Sequence, residues 1–545
     1  MLFLLALLAA AAVSPPTHAA TPYPNPFPHD LQCNVYLLAY QFAQKIQPNM
    51  TDIQKEALSD ALQLVPNCIA AAASTTTPTS TTPTPALPKH TIYVDATHGK
   101  DSNDGTFTTP LQTLAAAVTL SRTQKTTTQR TTIALRKGIH YLTETLLLAP
   151  QDSHLTIQNY PDETVEISGA VPLPRLKWHR HNTGQDSHNI WSTNLNTVLP
   201  SGMHTFTGLR YNGKRAIRAR WPNGDPETQL FPDGWSAATV KWLPPQTFST
   251  PAESIVVATP NRSQEGPCTS VNGYCNYVTG VGGACEGYGF QPPSGYWCNA
   301  NPPRGQTYST SFPSGLSYNA SLAFEGRTWP SFKPNRSIIN AFRQGHWFSY
   351  VFLIDQYNST THTMNWTWGG FQGGEGCDTA AEWNVENVFE ELDSENEWYY
   401  DEDSQALYWW YNETGPPPSD LRLEATRLTE LIRIQGTTAG TTAGTTAGSL
   451  TTIPVVDVLL QGLTLTGTAT TYLEPHGLPS DGGGDWALAR TAAVNLEGTE
   501  HVNIEHCLFE RIDGNGVLIS GYNRNATLRA NEFHWVGENG VVSWG

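Results

Sequence analysis

Residues 507–521 read CLFERIDGNGVLISG, and residues 531–545 read NEFHWVGENGVVSWG. At an offset of 24, Phe509 falls on Phe533, Asn515 on Asn539, Gly516 on Gly540 and Val517 on Val541. A fixed period of this size is the mark of stacked repeats, each unable to bury its apolar face alone. The units are short apolar or β-branched runs separated by Gly, Asn and Asp, with no helical spacing. They therefore read as rungs of a parallel β-helix, in which each strand lies on its equivalent in the next rung.

The register extends upstream. Val458, Leu460, Leu463 and Leu465 match Val502, Ile504, Cys507 and Phe509 at an offset of 44. The surplus of about twenty residues over one repeat must bulge from a single rung. That bulge is GTATTYLEPHGLPSDGGGDWALAR, beginning near Gly467. It leaves the stack at the turn where the next rung carries Asp513 and the one after carries Glu538, so three rungs bring polar residues to one corner. A solenoid needs a terminal cap, whereas the sequence stops at Gly545 in mid-rung, so a truncated end or a covered edge is expected.

A chain of 545 residues is too long for one ordinary core. Only 14% of it is charged, while Gly, Pro and aromatic residues are plentiful, a balance that suits β structure with long loops. The formal charge of −17 and the pI near 5.3 argue against nucleic acid or an anionic membrane as partner. An acidic sugar would need local Arg or Lys, or a bridging cation. Residues 1–19 read as an export signal, an apolar run followed by SPPTHA with small residues suiting cleavage after Ala19. The run is short for a membrane anchor, and no later segment is apolar enough to span, so a secreted, extracellular protein is expected. Eight Asn-x-Ser/Thr sequons, at Asn49, Asn261, Asn319, Asn335, Asn358, Asn365, Asn412 and Asn525, agree with a glycoprotein.

Residues 20–73 read as a small α-helical hairpin. Leu31, Val35, Leu38, Phe42 and Ile46 recur at helical spacing, as do Ile53, Ala57, Ala61 and Leu64 beyond a PNMT break. Antiparallel packing would bring Cys33 to Cys68, and a bridge there would stabilise by roughly 4 kcal/mol in the chain-entropy model. Residues 74–89, rich in Thr and Pro, read as an extended linker. The run Asp95, Asp101, Asn103, Asp104 has the look of a calcium loop but lacks its final glutamate, so satisfied turns are expected. Cys268, Cys275, Cys285 and Cys298 are spaced for two disulfides rather than zinc; Cys377 is unassigned, and Cys507 reads as a buried free thiol. GTTAGTTAGTTAG at 436–448 reads as a loop without function.

TIYVDATHGKDSNDGTFTTPLQTLAAAV, followed by strands at solenoid spacing, resembles the entrance of right-handed parallel β-helix proteins of the pectate-lyase-like superfamily. GLRYNGKRAIRARWPNGDP and WNVENVFEELDSENEWYYDEDSQALYWWY resemble the flanks of an inserted β-domain in the group around glycoside hydrolase family 141, and LRLEATRLTELIRIQG resembles its return. The resemblance implies a mainly β protein: β-helix over 90–172, an inserted β-rich region over 173–427, and further rungs over 428–545. Within GGGDWALARTAAVNLEGTEHVNIEHCLFERIDGNGVLISG it implies Asp485 and Asp513 as catalytic acids, without dividing their roles.

The corner set by the repeat gathers His476, Asp481, Asp485, Trp486 and Arg490 from the bulge, Asp513, Tyr522 and Arg524 from the next rung, and Glu538 from the last. Asp513 and Glu538 stand one rung and one residue apart. That separation falls within the roughly 5 to 9.5 Å used by glycosidase carboxylate pairs. The plainer reading is that D-G-N-G and G-E-N-G are tight turns. Trp486, Arg490, Tyr522, Arg524 and His476 are the expected substrate contacts. His501 and His506, taken as strand residues on opposite faces, read as structural, and the three glycines before Asp485 lack the Lys-Ser/Thr of a phosphate loop. A glycoside hydrolase acting on polysaccharide is expected, with no cofactor, as a monomer. The alternatives are a Ca²⁺-dependent polysaccharide lyase using Arg490 or Arg524 as base, and a non-catalytic glycan-binding surface or matrix protein.

Overall fold

Ile92, Ile133, Ile157, Leu460, Ile504 and Leu528 stand in one column, each opposite the next across a parallel ladder. They belong to the first of three parallel sheets in this computed structural model, made by Thr91–Val94, Thr131–Leu135, Leu155–Asn159, Val458–Gln461, Asn503–Glu505 and Thr527–Arg529. The second sheet is Gly138–Tyr141, Val165–Ser168, Thr464–Thr466, Leu508–Glu510 and Glu532–His534, and the third is Leu146–Leu148, Ile432–Gln435, Ala492–Glu500, Asn515–Arg524 and Val541–Trp544. The structure describes residues 87–88, 90–124, 130–181, 189–229, 234–236, 240–242, 245–249, 307–313, 315–318, 327–343, 349–369, 380–411, 413, 415–439, 451–474, 476–477 and 488–544. The chain divides into two compact units, Met1–Leu87 and Pro88–Gly545, and every described element belongs to the second.

The repeat seen in the sequence is the register of the ladders. Asn503 pairs with Thr527, Leu508 with Glu532 and Val517 with Val541, while Leu459 pairs with Asn503 and Thr464 with Leu508. The inward residues Ile167, Leu465, Phe509 and Phe533 line up on the second sheet, and the two phenylalanine rings stack at 4.6 Å and 12°. Each such buried side chain contributes about 1.5–3 kcal/mol by leaving water.

The sheets are joined by single residues of left-handed backbone that also stack. Asp457, His501 and Asn525 (φ 61, 56 and 53) form one column, Gly462, His506 and Ala530 (66, 53 and 53) a second, and Gly467, Arg511 and Trp535 (75, 52 and 57) a third. His501 and His506 are thus corner residues rather than strand residues, because the left-handed turn, not alternation along a strand, sets where they stand. Asn515 and Asn539 repeat the same logic with side chains. Asn539 donates from its backbone N (3.2 Å) and its Nδ2 (3.0 Å) to Asn515 Oδ1, and Asn515 Nδ2 donates to the carbonyls of Ala489 and Thr491, both at 3.0 Å.

The protein is mainly β with few helices. The helix Leu114–Gln124 follows the first strand and buries Leu114, Ala117 and Val118. The acidic run before it is spent on turns. Asp95 accepts from the N–H of Thr97 and His98 (both 2.9 Å), Asp101 from Gln112 (2.9 Å) and Thr113 (2.8 Å), and Asn103 donates to the Pro110 carbonyl at 2.9 Å. Cys507 is a buried free thiol. The leader 1–19, the hairpin 20–73 with Cys33 and Cys68, nearly all of the linker, and Cys268, Cys275, Cys285, Cys298 and Cys377 lie outside the described residues.

Between Ala170–Pro172 and Leu423–Thr426 the chain builds antiparallel sheets around Trp221, Phe352, Trp366 and Trp383. Those two flanking strands pair with each other, so the inserted stretch departs and returns at one place. Leu209–Tyr211 pairs on the other side of Leu423–Thr426, and Lys214–Arg215 folds back on it. That four-stranded sheet carries Arg210 and Arg215 to the turns that follow the second parallel sheet.

Candidate functional site

Asp513 lies in the turn between Leu508–Glu510 and Asn515–Arg524. The next turn stacks on it: Gly537 donates to the Ile512 carbonyl at 2.7 Å, and Glu538 to the Gly514 carbonyl at 3.1 Å. The approach requires glycine, since a Cβ on Gly537 would stand 2.9 Å from the carbonyl carbon of Asp513. The backbone stacking of these two turns therefore follows the 24-residue offset.

The two carboxylates take different partners. Asp513, with 8% of its side chain exposed, accepts at Oδ1 from Arg215 Nε (2.7 Å) and Nη2 (2.5 Å), and at Oδ2 faces Arg210 Nη2 at 3.2 Å. Its backbone N donates to Thr468 Oγ1 at 2.8 Å. Arg215 also donates to Glu227 Oε1 (2.8 Å) and to the Trp535 carbonyl (2.6 Å), and Glu227 receives Arg511 at 2.9 to 3.1 Å. The result is a chain of alternating charge, Arg210, Asp513, Arg215, Glu227, Arg511, across the seam between the insertion and the parallel sheets. Burial, opposed by Asp513, pulls the Arg210 guanidinium below its ordinary range. The carboxylate of Glu538 accepts from the hydroxyl of the buried Thr471, a residue of the bulge.

The remaining predicted residues separate. Asp481, Asp485 and Trp486 lie outside the described residues, in the segment closed by the antiparallel pair His476–Gly477 and Leu488–Ala489. His476 is opposite Ala489 in that pair. Arg490, just before the third sheet resumes, donates from Nη2 to Ser520 Oγ. Tyr522 and Arg524 are not brought to the Asp513 corner, because the third-sheet strand Asn515–Arg524 runs between them. From Asn515 to Tyr522 is a path of roughly 23 Å at about 3.3 Å per residue. There Tyr522 donates to Glu500, and the Arg524 guanidinium lies 5.6 Å over the Tyr522 ring.

Sequence reasoning passed over Arg215, Glu227, Thr471 and Trp535. The signal was present, since residues 210–220 carry Arg210, Arg215, Arg218 and Arg220 in an otherwise acidic chain. Trp535 is 43% exposed at the corner beside Asp513. A cavity of about 150 Å³ opens beside Asp513, lined also by Arg210, Arg215, Arg218, Arg220 and Tyr472. A second, of about 380 Å³, lies along the second sheet and is lined by Glu166, Glu424 and Glu510 among others, with Arg210 in both walls. A third, about 950 Å³, lies between the helix Leu114–Gln124 and the strands near Tyr141. Among the described residues no three His, Cys, Asp or Glu side chains are grouped to hold a metal ion, and no helix is long and apolar enough to cross a membrane.

No protein-family model matches the chain, and no curated protein matches it. Among solved structures, one described as a glycoside hydrolase aligns with a TM-score of 0.48 and 16% identity, over 80% of this chain and 65% of that one. The complex of XylC with xylose aligns with a TM-score of 0.23 and 9% identity, over 82% of this chain and 65% of that one. The chain spans about 65% of the length of each of these structures.

Proposed function

We propose that this is a secreted carbohydrate-active protein, a glycoside hydrolase acting on extracellular polysaccharide, built on a right-handed parallel β-helix. Three parallel sheets visited in cyclic order, with stacked left-handed corners, support the β-helix. The observation that carries the chemistry is the stacking of the Asp513 and Glu538 turns beside a cavity and an exposed indole. The two turns lie one strand spacing apart, and a pair of carboxyl groups carried on such neighbouring turns can serve a glycosidic bond as acid and as base or nucleophile. Trp535 offers the apolar face on which a sugar ring stacks. Asp485 is the third catalytic candidate, with Trp486 and Arg490 of the same bulge as candidate substrate contacts.

The test is product analysis on a polysaccharide panel, comparing the natural protein with Asp485→Asn, Asp513→Asn and Glu538→Gln. Release of reducing ends, lost in the variants while sugar binding persists, is the expected result. Unsaturated products sensitive to chelator would replace the hydrolase with a lyase.

One observation favours a second reading, a glycan-binding protein without turnover. Both oxygens of Asp513 are engaged by arginines, an arrangement that suits docking as well as catalysis. Binding without any turnover across the panel would establish that reading.

A further inference from the structure

The inserted stretch places four arginines around the cavity of about 150 Å³, and they are not equally matched by acids. Asp513 receives Arg210 and Arg215, and Glu227 receives Arg215 and Arg511. Arg218 and Arg220 form no ion pair with a carboxylate among the described residues. Arg218 donates to Tyr472 Oη (2.9 Å) and the Thr207 carbonyl (2.8 Å), and Arg220 to the carbonyls of Gly234 (2.8 Å) and Gly224 (3.5 Å). Glu386 and Asp225 also line the cavity, and the charge of Glu386 acts on Arg218 without forming an ion pair with it. Arg210, only 2% exposed, has Nε and Nη1 without a partner among the described residues, and the Nε atoms of Arg218 and Arg220 are likewise without one.

A buried N–H donor left without a partner is costly, and an anion entering beside the unpartnered Nε groups of Arg210, Arg218 and Arg220 recovers that cost. The same cavity is walled by Asp513, so whatever binds there lies against the proposed catalytic corner. We propose that it binds an oxyanion carried by a glycan, either the carboxylate of a uronic acid residue or the sulfate ester of a sulfated one. This rests on the carbohydrate-active reading above and adds its substrate class, an acidic glycan.

Arginine suits the task, because its planar fork presents paired N–H donors to a carboxylate or sulfate. Two contacts fix the plane of Arg218: the Tyr472 hydroxyl, and the Trp398 ring 5.6 Å beneath its guanidinium. The volume admits one anionic group rather than a run of sugars, so the neighbouring rings would lie outside, toward Trp535. Asp225, Glu227, Glu386 and Asp513 balance the four arginines in charge, so the anion is held at short range by unpartnered N–H donors rather than by a net positive field.

Calorimetric titration of the full chain with a uronate oligosaccharide, a sulfated one, a neutral one of equal length and inorganic sulfate tests the proposal. One acidic oligosaccharide should bind at least about tenfold more tightly than the neutral one, the increment expected of a hydrogen bond to a charged group, and added salt should weaken it. Arg218→Gln should lose about that tenfold and Arg218→Lys should recover part of it. The melting temperature without ligand reports whether each variant folds, and the rise on adding the acidic ligand should vanish in Arg218→Gln. If Arg218→Gln does not fold, Tyr472→Phe, which removes only the hydroxyl that holds Arg218, should weaken acidic binding several-fold. Equal binding of neutral and acidic sugars, acidic binding indifferent to both variants, or binding of inorganic sulfate alone overturns the proposal. Turnover of a neutral glycan with no acidic preference would overturn it while leaving the hydrolase reading intact, and silence across the whole panel would remove both.

Discussion

Arg215 reaches 298 positions along the sequence to meet Asp513, with Nε and Nη2 at 2.7 and 2.5 Å from one carboxylate oxygen. The contact joins the inserted stretch to the parallel sheets, and Arg210 completes it from the other side at 3.2 Å. Removing one partner of a buried pair leaves the other charge uncompensated, at about 3–5 kcal/mol. Asp513→Ala is therefore expected to lower unfolding stability by about 3 kcal/mol, measured by urea denaturation, and to raise hydrogen exchange in Leu209–Tyr211. A loss below about 0.5 kcal/mol, the scatter of ordinary surface changes, would show that the contact does not hold the seam.

Glu538 separates chemistry from docking. It is half-buried and accepts from the Thr471 hydroxyl, an acceptor that glutamine keeps, so Glu538→Gln should leave stability within about 0.5 kcal/mol. Turnover should fall by about 100-fold or more, the usual worth of a positioned acid or base. Full turnover by Glu538→Gln would remove it from the catalytic pair.

Phe509 is fully buried and stacked on Phe533. Phe509→Ala should cost about 3–5 kcal/mol in denaturant unfolding, through lost transfer energy and the cavity left behind. Phe533→Ala should cost less, since Phe533 is only half-buried and can relax. Equal costs would mean that Phe533 is as enclosed as its partner.

The ladders were legible where like residues recur. Phe509 on Phe533 and Asn515 on Asn539 could be read from the offset alone, because stacked parallel strands put equivalent side chains in contact. The bulge after Gly467 was legible as a surplus of residues. The seam was not. Arg215 and Asp513 have no periodic relation, and the four-stranded sheet of Lys214–Arg215, Leu209–Tyr211, Leu423–Thr426 and Ala170–Pro172 brings them together. Tyr522 and Arg524 were drawn into the wrong neighbourhood for a related reason: they follow Asp513 closely in sequence, but an extended strand carries the chain away at about 3.3 Å per residue.

Cys507 gives a dependence on pH. Burial pushes its thiol from about 9 up to about 11, so the folded protein holds the proton more tightly than the unfolded chain. The associated stability is fully present below about pH 9 and is lost as pH rises from about 9 toward about 11. Cys507→Ala should flatten that part of the stability curve. At pH 8 the peptide containing Cys507 should resist alkylation in the folded protein and react once unfolded, as followed by mass spectrometry. Rapid native labelling would mean that the thiol is open to solvent.

Trp535 and Tyr522 test where a glycan would bind. Both are exposed, at 43% and 39%, so exposure alone does not choose between them. Connection does. The Trp535 carbonyl accepts from Arg215, the same guanidinium that grips Asp513, and its residue closes the corner next to Glu538. Tyr522 is tied to Glu500 and lies under Arg524 at the far end of its strand. A stacked ring is worth about 0.5–1.5 kcal/mol beyond its area, so Trp535→Ala should weaken glycan binding about fivefold or more. Tyr522→Ala should leave affinity unchanged within about twofold, as expected for a residue outside the site. The reverse ranking, measured by titration with the best oligosaccharide of the panel, would move the binding face to the Tyr522 side of the third sheet and take Asp513 and Glu538 out of the reaction.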